Sequence, residues 1–202
     1  KFEKALDAFA GKDKIEVIWR SFQLDPNLET KPDINAVDHI AAIKGISKKD
    51  AGEMHDHVTR VAKEVGLDFD FEKTVVANSF NAHRLIQLAK TKGLGNEVEE
   101  QLFKAHFTEG KNIDDEETLI ETAVAVGLNK EEVRVMLASG AFAKEVEEDE
   151  RQARAIGVRG VPFFVFNDRY AVSGAQSPDV FLQALQQSWQ AFEAENIVLP
   201  KA

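Results

Sequence analysis

The sequence predicts an α/β protein in which a large all-helical domain is inserted into a smaller α/β domain. Residues 14–24 and 161–173, near the two ends of the chain, are rich in the β-branched and aromatic residues typical of strands. Residues 34–157 between them have apolar residues at helical spacing. Strand segments at both ends with helices between them favour an insertion over two consecutive domains.

The first predicted element is a helix, since Phe2, Leu6 and Phe9 are spaced i, i+4 and i+7, and Gly11 can end it. No Ser, Thr, Asp or Asn precedes this stripe to cap the first backbone N–H groups. A frayed terminal helix would explain such a start. We favour the interpretation that residues upstream of Lys1 are missing from this sequence.

Residues 14–24 are predicted to form the next element, a strand that Asp25-Pro26 ends because proline cannot donate to a ladder. In the helical block that follows, several helices begin with a side chain that can cap them. The acidic run at residues 145–150 is interpreted as the solvated face of the last of these helices. The predicted caps are Ser47, Asn78, the acidic run 114–117 and Asn129.

After residue 157 the pattern returns to strands. Residues 161–166 form an apolar run of strand length, and residues 170–173 form a second, shorter run after the turn-forming residues 167–169. Ser177-Pro178 then predicts a helix start, with serine as N-cap and proline in the first turn. The chain is therefore expected to end in a strand hairpin and a helix.

Composition and charge exclude several functions. The 25 Lys and Arg against 35 Asp and Glu give a net charge of −10, which argues against a nucleic-acid or anionic-membrane partner. The absence of cysteine excludes a disulfide, a thiolate metal site and a cysteine nucleophile within these 202 residues. His55 and His57 are two residues apart, so a helix would turn their rings to opposite sides, and no metal site is expected.

Five segments carry a resemblance to a known family. Together they closely resemble the DsbA-like thiol oxidoreductases of the FrnE type, whose superfamily includes kappa-class glutathione transferases and 2-hydroxychromene-2-carboxylate isomerases. The similarity extends over about residues 1–192. The segments are WRSF at 19–22, NSFNAHRL at 78–85, FTEG at 107–110, GVRGVPFFVF at 157–166 and VSGAQ at 172–176.

The resemblance implies a thioredoxin-like domain with a large all-helical insertion, the former made of residues 1–32 and 157–202 and the latter of residues 33–156. FrnE-type proteins have a strand and a C-P-W-C motif before the first helix, and this sequence lacks both. Without a thiolate, the chain as it stands cannot carry out thiol–disulfide exchange. The implied strand order places residues 14–24 and 163–166 in one sheet without direct pairing.

The same resemblance implies the substrate-binding residues. Val161-Pro162 matches the cis-proline loop of thioredoxin folds, where the backbone of Val161 would pair with an extended substrate or with glutathione. Arg159 and Gly160 precede this loop, which we expect to face the start of the first helix. Gly174 lets the chain bend after the last strand, and the kappa-class resemblance implies a glutathione contact there. No catalytic or metal-binding residue is predicted.

Asn78, His83 and Arg84 lie close together near one predicted helix start and are cleft candidates. They could line a cleft between the two domains or satisfy buried backbone groups, and we favour the structural role.

The resemblance implies a cytoplasmic thiol–disulfide oxidoreductase that is inactive as this chain stands. A glutathione-dependent isomerase or transferase of the same superfamily is the alternative, and a non-catalytic thioredoxin-fold binding protein is the second. The expected partners are protein or peptide thiols and disulfides, or glutathione, with no other cofactor, nucleic acid or membrane. The residues encoded before Lys1 would separate these functions. A C-x-x-C motif there would support the oxidoreductase, a lone serine the isomerase or transferase, and a true start near Lys1 the binding protein.

Overall fold

The computed structural model describes the backbone of residues 1–197 and the side chains of residues 1–195. The chain divides into two compact units. The terminal unit comprises Lys1–Ile18 with Arg154–Ala202, and the central unit comprises Trp19–Ala153. The domain boundaries expected after residues 32 and 156 stay a prediction.

The secondary structure is mostly helical, as the periodicity predicts. In chain order the elements are α1 (Phe2–Ala8), a 3₁₀ turn (Lys12–Lys14), β1 (Lys31–Asn35), α2 (Ala36–Lys44), α3 (Lys48–Lys63), β2 (Val75–Val76), α4 (Phe80–Lys90), α5 (Gly95–Phe103), a π-helical turn (Lys104–Thr108), α6 (Glu116–Ala125), α7 (Lys130–Ala138), α8 (Ala143–Ala155), β3 (Phe163–Phe166), β4 (Tyr170–Ser173) and α9 (Pro178–Ile197).

The terminal unit has an aromatic core between α1, α9 and the β3–β4 hairpin. The ring of Phe2 lies 5.2 Å from that of Phe164 and 5.7 Å from that of Phe181, which is almost fully buried. Asn167 and Asp168 form the hairpin turn with positive φ angles of 49° and 56°, a conformation that Asn and Asp tolerate better than other side chains do. The predicted hairpin is therefore confirmed.

The central unit has its own aliphatic core, built by α4, α5, α6 and α7. Its fully buried members include Leu85, Val98, Leu119 and Val133. The side chains of Ser47 and Asn129 cap α3 and α7 as predicted, and within the predicted run 114–117 it is Asp115 that caps α6. Within the described residues, no helix has both the length and the apolar character needed to cross a bilayer.

The strand predicted at residues 14–24 is wrong. Residues 15–23 form no ladder with any described segment, and β3 pairs with β4 alone within residues 1–197. The predicted sheet shared by residues 14–24 and 163–166 is therefore absent from the described part of the chain. The physical reason is visible at Ser21 and Gln23, whose backbone N–H groups donate to carboxylates of α8 instead of to a neighbouring strand.

A short strand pair in the central unit lies where the sequence predicts no strand. β1 pairs antiparallel with the two-residue β2, and the register is irregular. Pro32 within β1 cannot donate to a ladder, so this segment lacks the strand signature. Its pairing depends on tertiary contacts rather than on local propensity.

Candidate functional site

The Val161-Pro162 loop precedes β3 and lines a pocket of about 390 Å³ in the terminal unit. All five residues that the resemblance assigns to substrate binding lie in its lining. The start of β3 and the end of β4 are neighbours in the hairpin, and they bring the predicted residues to one surface. The full lining is Gly157, Arg159, Gly160, Val161, Pro162, Phe163, Ser173 and Gly174.

The hairpin register brings these residues together. Phe163 lies opposite Ser173, so the residues just outside the ladder also meet, and the Gly174 N–H donates to the Pro162 carbonyl at 2.8 Å. Gly174 has a φ of +80°, in the left-handed region that L side chains rarely adopt. Glycine therefore allows the bend that closes this side of the pocket.

Val161 lies at the surface and is 50% exposed. The peptide bond to Pro162 is cis, as the resemblance implies. Among residues 1–197, neither the N–H nor the carbonyl of Val161 has a hydrogen-bond partner. The loop thus offers one donor and one acceptor that the described fold does not use.

Arg159 is the charged residue in this lining. Its side chain is exposed and forms no ion pair with any described residue. The Lys1 ammonium donates to the carbonyl of Ala175, next to Gly174, at 3.3 Å. This bond and the bond from Gly174 to Pro162 connect the start of α1 to the loop, which agrees with the expected proximity of the loop to the first helix.

Asn78 lies in the central unit and lines a different pocket, of about 660 Å³. Its side-chain carbonyl accepts from the Phe80 N–H at 2.8 Å and from Gln23 Nε2 at 3.0 Å. Its amide donates to the carbonyl of Leu28 at 2.8 Å, and its backbone N–H donates to the Thr30 hydroxyl. These bonds use its polar groups to hold residues 23–30 beside the start of α4.

Arg84 is buried and ties α4 to the end of α7. Its guanidinium donates to the carbonyls of Met136 at 2.6 Å and Ala141 at 2.8 Å, and also to the carbonyl of Ser139. A fourth bond reaches Asn81 Oδ1 at 2.9 Å. Arg84 therefore satisfies backbone carbonyls at a helix end, which is the structural alternative for this cleft candidate.

His83 is half-buried and lines neither of these pockets. Burial lowers its pKa to about 4, although a backbone hydrogen bond with Phe22 and the charge of Asp149 oppose the shift. Its ring is therefore neutral at pH 7.

The polar cluster around Asp149 is not among the sites predicted from the sequence, and it lies inside the predicted solvated face of α8. Asp149 is 4% exposed and accepts from the Ser21 N–H at 2.9 Å, Gln87 Nε2 at 2.7 Å and Arg20 Nη1 at 3.0 Å. The solvated-face interpretation is wrong for Asp149 and the buried Glu150. A signal was present, because both lie on the same helix face as the apolar Val146, at i+3 and i+4.

A metal centre finds no support in the part of the chain that the structure describes. No group of three or more His, Asp or Glu side chains there could hold a metal ion. The Val161-Pro162 loop is the candidate site, because the backbone groups of Val161 and the guanidinium of Arg159 have no partner among the described residues.

Comparisons with known proteins agree with the fold. The model of the DSBA-like thioredoxin domain family matches residues 1–186. A crystal structure of a probable DsbA oxidoreductase from Streptomyces coelicolor is similar, with a TM-score of 0.88 and 39% identity, over 94% of this chain and 82% of that one. The uncharacterized protein YwbO of Bacillus subtilis (strain 168) is 26% identical over 189 residues, covering 89% of this chain and 84% of its own length.

Proposed function

The chain belongs to the family of DSBA-like thioredoxin domains, and on that premise we propose that it serves thiol–disulfide exchange as a FrnE-type protein. The Val161-Pro162 loop is its substrate-recognition element. The substrate is an extended peptide that carries a thiol or a disulfide.

The observation that carries this proposal is that neither backbone group of Val161 has a hydrogen-bond partner among residues 1–197. An N–H and a carbonyl that lack partners on one surface residue can pair with an extended peptide, as an edge strand does. The pocket beside them has mostly glycine and apolar residues in its lining, so backbone pairing rather than a tight side-chain fit would dominate binding. Arg159, Gly160, Pro162 and Gly174 frame this backbone.

Residues 1–202 can bind the substrate but cannot attack its disulfide. Exchange requires a thiolate that attacks a disulfide sulfur, and these residues contain no cysteine. We expect the chain as it stands to show no disulfide reduction above background with a dithiol reductant. Turnover in that assay would contradict the assignment. A cytoplasmic location stays a prediction from the resemblance.

Peptide binding tests the proposal without any catalysis. A short extended peptide with one cysteine, held as a mixed disulfide, is titrated into the ¹⁵N-labelled chain. We expect amide shifts at Gly160, Val161 and Gly174. Shifts confined to the pocket beside Asn78, or none at millimolar peptide, would overturn the proposal.

The matched control modifies the ligand and leaves the protein intact. N-methylation of the peptide amide that donates to the Val161 carbonyl should weaken binding about fivefold, as expected for one hydrogen bond. Methylation of an amide at the far end of the peptide should have little effect.

A further inference from the structure

We infer that Arg159 selects substrates that carry a carboxylate close to the residue paired with Val161. This inference rests on the proposed function of the Val161-Pro162 loop. It names a property of the substrate that the fold alone does not specify.

Within residues 1–195, the lining of the pocket offers a single charged side chain to a ligand. Arg159 is its charged side chain and Ser173 supplies its hydroxyl, while the other lining residues are glycine, proline, valine and phenylalanine. A charged group of a ligand in this pocket would therefore interact with Arg159. A guanidinium binds carboxylates well because its planar fork of donors matches their two oxygens.

The charge of Arg159 has no compensating carboxylate among the described residues. Several other arginines form ion pairs, among them Arg20 with Asp149, Arg134 with Glu131 and Arg169 with Glu195. Arg159 has no such partner among the described residues, although acids outnumber bases by ten in the chain. An exposed cation without a partner in an acidic protein is open to an anionic ligand.

The position of Arg159 in the loop determines which residue of an extended ligand its charge can reach. Arg159 is two residues before Val161, and an extended ligand advances about 3.3 Å per residue. The long side chain of Arg159 therefore reaches a carboxylate within about two residues of the one paired with Val161. The Lys1 ammonium, bonded to the Ala175 carbonyl, adds positive charge on the Gly174 side.

Two sources supply this chemistry: an acidic residue beside a cysteine in a protein segment, and glutathione, a thiol tripeptide with two carboxylates. Both present a carboxylate on a peptide backbone. The experiment therefore includes both.

The test compares dissociation constants by NMR titration of the whole chain. Three of the ligands are peptides with one cysteine each, held as a mixed disulfide, and they differ only in the residue beside that cysteine, which is Asp, Asn or Lys. Oxidised glutathione is the fourth ligand. We expect the Asp peptide to bind about threefold more tightly than the Asn peptide at low salt, the size expected of an exposed ion pair. The preference should shrink at high salt.

Two variants locate the effect. Arg159→Gln should abolish the preference for Asp over Asn, and Arg169→Gln, an arginine of the same unit that already pairs with Glu195, should leave it unchanged. An Arg159-dependent preference for the Asp peptide supports a protein source, and Arg159-dependent binding of glutathione alone supports the small thiol.

Equal affinity for the Asp and Asn peptides together with glutathione binding that does not depend on Arg159, or a preference for Asp that survives in Arg159→Gln, would overturn the inference. In those cases the shifts at Val161 and Gly174 would remain, and the proposed function would stand. Absence of those shifts with all four ligands would instead contradict the proposed function.

Discussion

The Val161 loop and the Asp149 cluster differ in whether their polar groups have hydrogen-bond partners. At Asp149, a buried carboxylate accepts three hydrogen bonds from Ser21, Gln87 and Arg20. At Val161, an exposed residue leaves both backbone groups unpaired within the described chain. A buried polar group needs a hydrogen-bond partner within the protein for stability, whereas an exposed one can bond to water and then to a ligand. We therefore read the first region as structural and the second as a binding surface.

The largest expected effect is at Asp149. Asp149→Ala should lower the free energy of unfolding by about 3 kcal/mol or more, because it leaves the buried Ser21 N–H without an acceptor and removes one of the two acceptors of the Gln87 amide. Urea denaturation measures this change. The matched control is Glu148→Ala on the exposed side of the same helix, where Glu148 pairs with Arg151 and little change is expected.

Arg84→Met should follow, with a loss of about 2 kcal/mol. Methionine fills much of the same volume but leaves the carbonyls of Met136 and Ala141 without a donor. If Arg84 lined a binding cleft instead, the variant would unfold at wild-type denaturant concentration and lose peptide affinity.

A pH effect comes from His83, whose pKa is lowered by burial to about 4 in the folded chain from an ordinary value of 6.5. Between these values the unfolded state binds the proton, so His83 contributes stability above pH 6.5 that is lost as the pH falls towards 4. Wild type should lose about 2 kcal/mol more than His83→Gln between pH 7 and 5.

Glu99 acts in the opposite direction over part of that range, because burial raises the pKa of its carboxyl to about 7. The comparison with His83→Gln cancels its contribution, since Glu99 is present in both proteins. Equal slopes for the two proteins would show that His83 is solvated and would weaken the contrast between the two regions.

The smallest effect on stability is expected at the loop. Arg159→Gln should leave the free energy of unfolding within about 0.5 kcal/mol of wild type, because its exposed side chain bonds to no described residue. A substantial loss of stability would reveal a structural role for this arginine.

The difference between the regions also explains what the sequence could predict. The helices that begin after Ser47 and Asn129 depend on local capping, and the β3–β4 hairpin depends on a short turn, so both are visible in the sequence. The loop residues came from a family motif. By contrast, Ser21 and Asp149 are 128 residues apart, and no local pattern reveals that a carboxylate takes the place of a strand partner.

Amide hydrogen exchange of the whole chain tests the central contrast most directly, with and without the extended mixed-disulfide peptide. Ser21 and Gln23, whose N–H groups donate to buried carboxylates, should exchange slowly in both states. The Val161 N–H should exchange rapidly in the free protein and become protected when the peptide binds. A Val161 amide already protected in the free protein, or unchanged at saturating peptide, would contradict the assignment of this loop as the recognition site.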